Sequence, residues 1–237
     1  MIVNFSAKYT EINKILELLL SSATRVLGSQ LVGMYLYGSL SSGDFDLETM
    51  HHQIWKSGLK WAAKLEGSYI PKRDIRRHNP HSAPCPTVNE GTFYLDKRGS
   101  DWIIQRHVIR EQGIVLVGPD PKTLIDPVSP EDIRRSVVGI LHEWWFPMLE
   151  DPSWLKKHGA EYHAFTILTM CRALYALKHG TIVSKPAAAK WAQKELGERW
   201  SQIIERALAA RPNKPDDGLF DEALDLIRFT REQTRKV

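Results

Sequence analysis

A pattern typical of a buried strand ends in a small polar turn that carries residues suited to chemistry. Residues 31–37 are apolar and aromatic, and Gly38-Ser39 follows them directly. Glycine lets backbone approach a ligand closely, and the serine hydroxyl and amide can hold a phosphate. Asp44 and Asp46 follow at the alternate spacing that points two side chains the same way in an extended segment. Hard oxygen ligands beside a phosphate cradle indicate Mg²⁺ and a nucleotide, although an ordinary polar loop has the same composition.

Three charged residues outside this turn lie where a bound ligand would explain their position. Glu66 interrupts an apolar segment over 61–71 that predicts a strand, and is either a solvated rim residue or a site residue. Lys185 follows the candidate helix cap Ser184 and so lies at the N-terminal end of a helix, where the helix dipole disfavours cations. The lysine is either a surface residue that tolerates this small cost or a residue that contacts a bound anion. Arg172 lies in an apolar helix, where its partner is either a core carboxylate or a phosphate.

Aromatic side chains supply the remaining candidate contacts. Trp102 and the pair Trp144-Trp145 are candidate platforms for a nucleobase or a sugar. Most tryptophans instead belong to a core or a domain interface, so both interpretations stay open for each of them.

Composition indicates a soluble globular protein. The 237 residues are 43% hydrophobic and 25% charged, which fits one large or two modest domains. No apolar run approaches the roughly 20 residues of a membrane helix, and the N-terminus lacks a signal-peptide layout. The net charge of +4 favours an anionic ligand but is too small for a nucleic-acid surface. Cys85 and Cys171 are far apart in the sequence and fit a reducing cytoplasm.

Strand signals give way to unbroken helical periodicity after the proline-rich segment 120–130. In the N-terminal part, the apolar pattern predicts a helix over 9–27 and strands near 93–95 and 114–117. Residues 78–90 are expected to form a long loop, and residues 103–111 fit a helix or a strand. Ser129 and Pro130 mark a helix start. We therefore place domains at 1–128 and 129–237, the second with helices over 131–149, 161–179, 185–195, 200–210 and 218–236. The expected fold class is α+β.

Several segments, in this order, resemble the aminoglycoside nucleotidyltransferases, and in particular the streptomycin and spectinomycin adenylyltransferases. They are LYGSLSSGDFD, LEGSYIP, GSDWIIQRHVIREQGIVLVGP, LIDPVSPEDIR and LTMCRALYALKHGTIVSKPAAAKWA, of which the SKPAAAKWA run is the most specific. The resemblance covers nearly the whole chain from about Leu31. It implies a polymerase-β-like nucleotidyltransferase domain with a small mixed β-sheet, followed by an all-helical bundle domain. It also implies transfer of AMP from MgATP to an antibiotic hydroxyl.

The resemblance assigns roles to individual residues. Gly38 and Ser39 match the pair that holds phosphate, and Glu66 matches the carboxylate proposed as general base. Lys185 matches the lysine that reaches the ATP phosphates from the helical domain, and we add Arg172 as a nucleotide contact.

Two residues are implied on the acceptor side. Trp102 matches an aromatic residue at the site, and Glu161 lies near the acidic residue that faces the cationic drug. We expect Ser39, Glu66, Trp102 and Lys185 to line one cavity between the domains.

One departure from the family concerns the metal. Relatives continue from the GDFD turn into a central strand with an Asp-x-Asp pair, whereas here Leu47 begins a segment that resembles the family's next helix. Three explanations compete. Either the sequence omits a segment that the protein contains, or an in-frame deletion has inactivated the protein, or Asp44 and Asp46 replace the Asp-x-Asp pair. The third explanation is the weakest, since four residues separate Ser39 from Asp44. Asp44 and Asp46 nevertheless remain the candidate metal ligands.

The functional prediction is therefore an adenylyltransferase that uses Mg²⁺, with ATP and a cationic small molecule as partners and antibiotic resistance as its outcome. The alternative is a catalytically dead remnant that binds a nucleotide or a small cation, and a second alternative is transfer to a protein or to another metabolite. We expect a cytoplasmic monomer that binds neither nucleic acid nor membrane.

Overall fold

The computed structural model describes residues 10–36, 66–89, 92–210 and 217–235. The chain divides into two compact units, Met1–Pro127 and Val128–Val237. All strands of the described residues lie in the first unit, and the second is helical. The change of unit therefore falls beside the position where the sequence changes from strand signals to helical periodicity. That the two units are the two functional domains remains our proposal.

The first unit combines short helices with two small antiparallel sheets. Strands β1 and β5 form one sheet, and β2, β3 and β4 form the other in that order. The α+β class is confirmed, and every strand pair of the described residues is antiparallel. The elements are α1 (Thr10–Leu27), β1 (Met34–Leu36), β2 (Gly67–Ser68), α2 (Lys72–Ile75), β3 (Cys85–Asn89), β4 (Thr92–Asp96), α3 (Asp101–Gln112), β5 (Ile114–Val117) and α4 (Pro121–Leu124).

Three sequence predictions for this unit need correction or completion. The long loop expected over 78–90 is wrong, because it contains β3, the central strand of its sheet. The segment 103–111, whose type was open, belongs to helix α3. A strand was expected over 61–71, and within the described part of that segment only β2 is a strand. The helix that the resemblance implies from Leu47 onward falls in a part of the chain outside the described residues.

Buried Arg106 holds the segment that follows α2. Its side chain is 4% exposed, its Nε donates to the Ile75 carbonyl at 2.8 Å, and its Nη2 donates to the Arg76 carbonyl. Arg76 and Arg77 in turn pair with Asp126 at 2.8 and 2.6 Å. The hydrogen bond from Arg77 is the main reason why the pKa of Asp126 is lowered. The last residues of the first unit are thus tied back to the chain after α2.

We expect Arg106→Met to lower the free energy of unfolding by about 2–3 kcal/mol, because it removes two charge-assisted hydrogen bonds that a buried guanidinium donates to backbone carbonyls. Urea denaturation measures the change. Arg73→Met is the matched control, since the Arg73 side chain is 80% exposed and its removal should be nearly neutral. Equal stability of the two variants would show that water replaces the Arg106 contacts.

The second unit is a helical bundle around one long helix, α7. Its helices are α5 (Pro130–Ile140), α6 (Ser153–Lys157), α7 (Gly159–His179), α8 (Lys185–Glu195), α9 (Glu198–Ala209) and α10 (Phe220–Thr234), with a π turn (Leu141–Trp145) and a 3-10 turn (Phe146–Leu149) after α5. Helix α7 packs against α5, α8, α9 and α10. Fully buried apolar side chains fill the space between them: Leu155, Ile167, Met170, Ile204, Leu226 and Ile227.

Local sequence signals explain how the bundle begins. Ser129 caps α5 by accepting a hydrogen bond from the Asp132 amide at 3.1 Å, and Pro130 occupies the first turn, which confirms the predicted helix start. The helix expected up to residue 149 continues past Ile140 only as the π and 3-10 turns. In the part of the chain that the structure describes, no helix is long and apolar enough to cross a membrane.

Candidate functional site

One side of helix α7 faces away from the bundle core and carries charged and aromatic residues. Glu161, Phe165 and Arg172 are four and seven residues apart, so the helical period places them on the same face. Ile167 and Met170, on the opposite side, are fully buried. The Phe165 side chain is 39% exposed, which is unusual for a phenylalanine on a core helix. Glu161 and Phe165 on this face are therefore exposed, whereas Arg172 is partly buried.

The turn after α7 brings α8 back along the same helix. Gly180 ends α7 with a φ of 64°, and a Cβ there would lie 2.5 Å from the Pro130 Cβ, so the position requires glycine. Ser184 then caps α8 by accepting from the Ala187 amide at 3.4 Å. Helix α8 begins at Lys185, as the sequence predicts, and packs against α7. The lysine is thereby fixed at the start of a helix beside α7.

The ammonium group of Lys185 lies over the ring of Phe165. Its Nζ is 3.5 Å from the ring centroid, well inside the distance of about 6 Å at which a cation is attracted to a ring face. The contact with Phe165 places Lys185 beside the side of α7 on which the helical period also places Arg172. Both residues were candidate nucleotide contacts from sequence.

Arg172 is partly buried, and no carboxylate of the described residues pairs with it. Burial lowers the pKa of its guanidinium. From sequence, the partner of Arg172 was either a core carboxylate or a phosphate. The first partner is not found among the described residues. An anion at this face would satisfy the charge.

Aromatic rings continue from Phe165 towards the start of α7. Tyr162 lies 5.1 Å from Phe165 and 4.8 Å from Trp154, and the Trp154 ring stacks on His158 at 3.7 Å. Trp144 packs edge-on against Trp154 at 5.3 Å and is 47% exposed. Together with exposed Glu161 in the first turn of α7, these ring faces suit a cationic molecule. We call these residues (Trp144, Trp154, His158, Tyr162 and Glu161) the aromatic patch.

Most of the aromatic patch was missed from sequence, although a signal was present. Trp144 and Glu161 were candidate residues from sequence, whereas Trp154, His158, Tyr162 and Phe165 were not. These four positions follow one another at spacings of four, four and three residues, which is typical of one helical face. The contact between Phe165 and Lys185 had no such signal, because it depends on how α8 returns to α7.

In the first unit, Glu66 directly precedes β2 and is exposed. The following residue, Gly67, pairs with Val88 of β3, and a Cβ at Gly67 would meet no atom of the described residues within 4 Å. Burial is the main cause that raises the pKa of Tyr94, and the charges of Asp96 and Glu66 raise it further. The Glu66 carboxylate therefore lies near the β3–β4 hairpin with open space beside Gly67.

Trp102 lies in the core of the first unit. Its side chain is 3% exposed and packs with Ile109 and Ile125. The Arg98 guanidinium lies 5.8 Å from its ring centroid. The tryptophan thus occupies the core position that its residue type also allows, and its contact with an acceptor stays a prediction.

The remaining predicted site residues, Gly38, Ser39, Asp44 and Asp46, lie outside the described residues. Their roles, and the expected cavity between the domains, stay predictions. Within the described ranges, no group of three or more His, Cys, Asp and Glu side chains is arranged to hold a metal ion.

Comparisons with known proteins point to one family. Residues 123–235 match the sequence model described as the aminoglycoside adenylyltransferase C-terminal domain. The chain is 32% identical over 120 residues to an aminoglycoside (3'') (9) adenylyltransferase from Escherichia coli, a match covering 51% of this chain and 42% of that protein. It is 30% identical over 122 residues to a protein of the same name from Rhizobium radiobacter, covering 52% and 42%. These matches span less than half the length of the curated relatives.

The fold is also similar to a solved structure over almost the whole chain. The spectinomycin adenyltransferase AAD(9) from Enterococcus faecialis, crystallised with ATP and spectinomycin, superposes with a TM-score of 0.61. The superposition covers 93% of this chain and 99% of that one at 16% sequence identity. The similarity therefore concerns the fold.

Proposed function

We propose that this chain is an aminoglycoside nucleotidyltransferase that transfers AMP from ATP to a hydroxyl of an aminoglycoside or aminocyclitol such as streptomycin or spectinomycin, since its residues 123–235 match the aminoglycoside adenylyltransferase C-terminal domain. The observation that carries the proposal is the pair of cations on one face of the helical unit. Lys185 lies over Phe165, and Arg172 has no acidic partner among the described residues. Phosphates are the anions that lysine and arginine side chains bind most readily.

The acceptor in this proposal is a small cation that binds at the aromatic patch. Trp144 and Trp154 offer ring faces, and Glu161 supplies the charge that such a molecule needs. Trp102 remains a proposed further contact. Streptomycin and spectinomycin fit because both are amine-bearing, polyhydroxylated molecules.

The reaction forms a bond between the acceptor oxygen and the α-phosphorus and breaks the bond from that phosphorus to the bridging oxygen. Pyrophosphate leaves with the electron pair of the broken bond. Glu66 takes the hydroxyl proton, and Lys185 and Arg172 stabilise the charge on the leaving phosphates. Gly38 and Ser39 are the proposed phosphate cradle. Mg²⁺ is the proposed cofactor, with Asp44 and Asp46 as candidate ligands, and would neutralise phosphate charge.

A second candidate function is binding without transfer. The cations and the aromatic patch lie entirely in the second unit and use neither Asp44 nor Asp46. A chain that lacks the family's metal-binding strand would still hold a nucleotide or a small cation there. We also propose a cytoplasmic location, since Cys85 and Cys171 are buried free thiols. The monomer expected from sequence remains part of the proposal.

Incubation of the chain with ATP, Mg²⁺ and each drug tests the proposal. We expect one pyrophosphate for each drug molecule whose mass increases by an adenylyl group, and no pyrophosphate when the drug is omitted. Calorimetric titration with MgATP runs in parallel. Binding without product would favour the binding protein, and neither binding nor product would contradict both functions.

A further inference from the structure

We propose that Phe165 is a positioning residue that holds the Lys185 ammonium group for the nucleotide phosphates. The inference rests on the proposed function and adds to it a residue that contacts the lysine rather than the nucleotide. It starts from the 3.5 Å between Lys185 Nζ and the centroid of the Phe165 ring.

The ring itself is held in place. Phe165 projects from the middle of α7, and its ring lies 5.1 Å from Tyr162 and 6.4 Å from Trp145. Trp145 is 5% exposed and belongs to the bundle core. The support is therefore a helix and two neighbouring rings, whereas the lysine is a flexible chain of four methylene groups.

The position of Lys185 explains why such support matters. The lysine is the first residue of α8, where the helix dipole disfavours a positive charge. The ring face attracts the ammonium group and holds it on the α7 side. Binding then costs less side-chain entropy, because the lysine is already on the α7 face.

Nuclear magnetic resonance of the reductively ¹³C-methylated protein tests the contact without any activity. Methylation keeps the positive charge of each lysine, and a ring below the group shifts its methyl signal upfield. We expect the Lys185 signal, assigned through Lys185→Arg, to be upfield and to return to the ordinary position in Phe165→Leu. The signal of Lys178, whose Nζ lies 5.6 Å from the Trp191 ring centroid, is the internal control and stays unchanged.

Calorimetric titration with MgATP tests whether the contact between Phe165 and Lys185 contributes to nucleotide affinity. Phe165→Leu keeps an apolar side chain of similar size and should weaken binding by about two- to fivefold, the value of a cation–ring contact at an exposed site. Phe165→Trp should restore the affinity. Phe229→Leu, which changes a ring packed against Trp200 at 5.2 Å, is the matched control and should leave binding unchanged.

The outcomes separate this inference from the function on which it rests. An unshifted Lys185 signal in the unsubstituted protein overturns the inference, as does unchanged or tighter MgATP binding in Phe165→Leu. Unchanged MgATP binding in Lys185→Ala instead contradicts the proposed nucleotide site. Weaker binding in Phe165→Leu, with rescue by tryptophan and loss of the shifted signal, supports the inference.

Discussion

We expect Glu66→Gln to lower kcat for AMP transfer by about 10²–10⁴-fold, the usual contribution of a positioned general base. Glutamine has the same shape as glutamate but cannot accept the hydroxyl proton at neutral pH. Because the proposed phosphate contacts Lys185 and Arg172 lie in the other unit, the affinity for MgATP should hardly change. Steady-state kinetics with separate titrations of ATP and drug would show the loss in kcat with a nearly constant KM for ATP.

A neighbouring carboxylate supplies the control. Asp96 and Glu66 both raise the pKa of Tyr94, so Asp96→Asn removes a charge from the same surroundings without touching the proposed base. Both variants should lower the pKa of Tyr94, followed through its ring resonance, which verifies that each carboxylate lies where the structure places it. Equal kcat values for the two variants would contradict general-base catalysis by Glu66.

The helical unit was the easier part to predict, because its signals are local. The bounds of α8, Lys185–Glu195, follow from a serine cap and a proline in the first turn, and the structure confirms them. The start of α5 after Ser129 follows in the same way. A capping side chain contacts amides of its own helix, so no knowledge of the remaining chain is needed.

Strand β3 shows why the first unit was harder. Pro84 and Pro86 predict a loop, and Pro86 has no amide hydrogen for a sheet. In the structure, Pro86 pairs with Leu95 of β4, and its carbonyl accepts a hydrogen bond from the Tyr69 amide at 2.9 Å. Pairing with strands on both sides therefore overrides the local proline signal, and neither pairing is visible in the segment alone.

The residues of the candidate site also differ in whether local sequence or tertiary packing determines their position. Lys185 and Arg172 were singled out as charges for which an anion contact was one of two interpretations, which requires only their own helices. The ring of Phe165 gained significance only from the return of α8 onto α7. Trp102, by contrast, has a residue type that suits both a ligand platform and a core, and its burial among Ile109 and Ile125 depends on tertiary packing.

Arg172→Met should weaken MgATP binding by about 10–100-fold and at the same time stabilise the free protein. Hydrogen bonds to charged groups are worth about 1.5–3 kcal/mol, which sets the expected loss of affinity. Burial lowers the pKa of Arg172, so its charged form is less favourable in the folded protein than in the unfolded chain. An apolar side chain of similar length avoids that cost, and we expect about 1 kcal/mol of added stability.

Calorimetry with MgATP and urea denaturation of the free protein measure the two effects separately. Arg135→Met is the matched control, because the Arg135 side chain is 70% exposed and should affect neither quantity. If Arg172→Met lowered stability and left MgATP binding intact, Arg172 would be a structural residue with a partner inside the protein. Opposite changes in stability and affinity are expected only if the arginine is retained for an anion, since a purely structural charge would not cost stability when present.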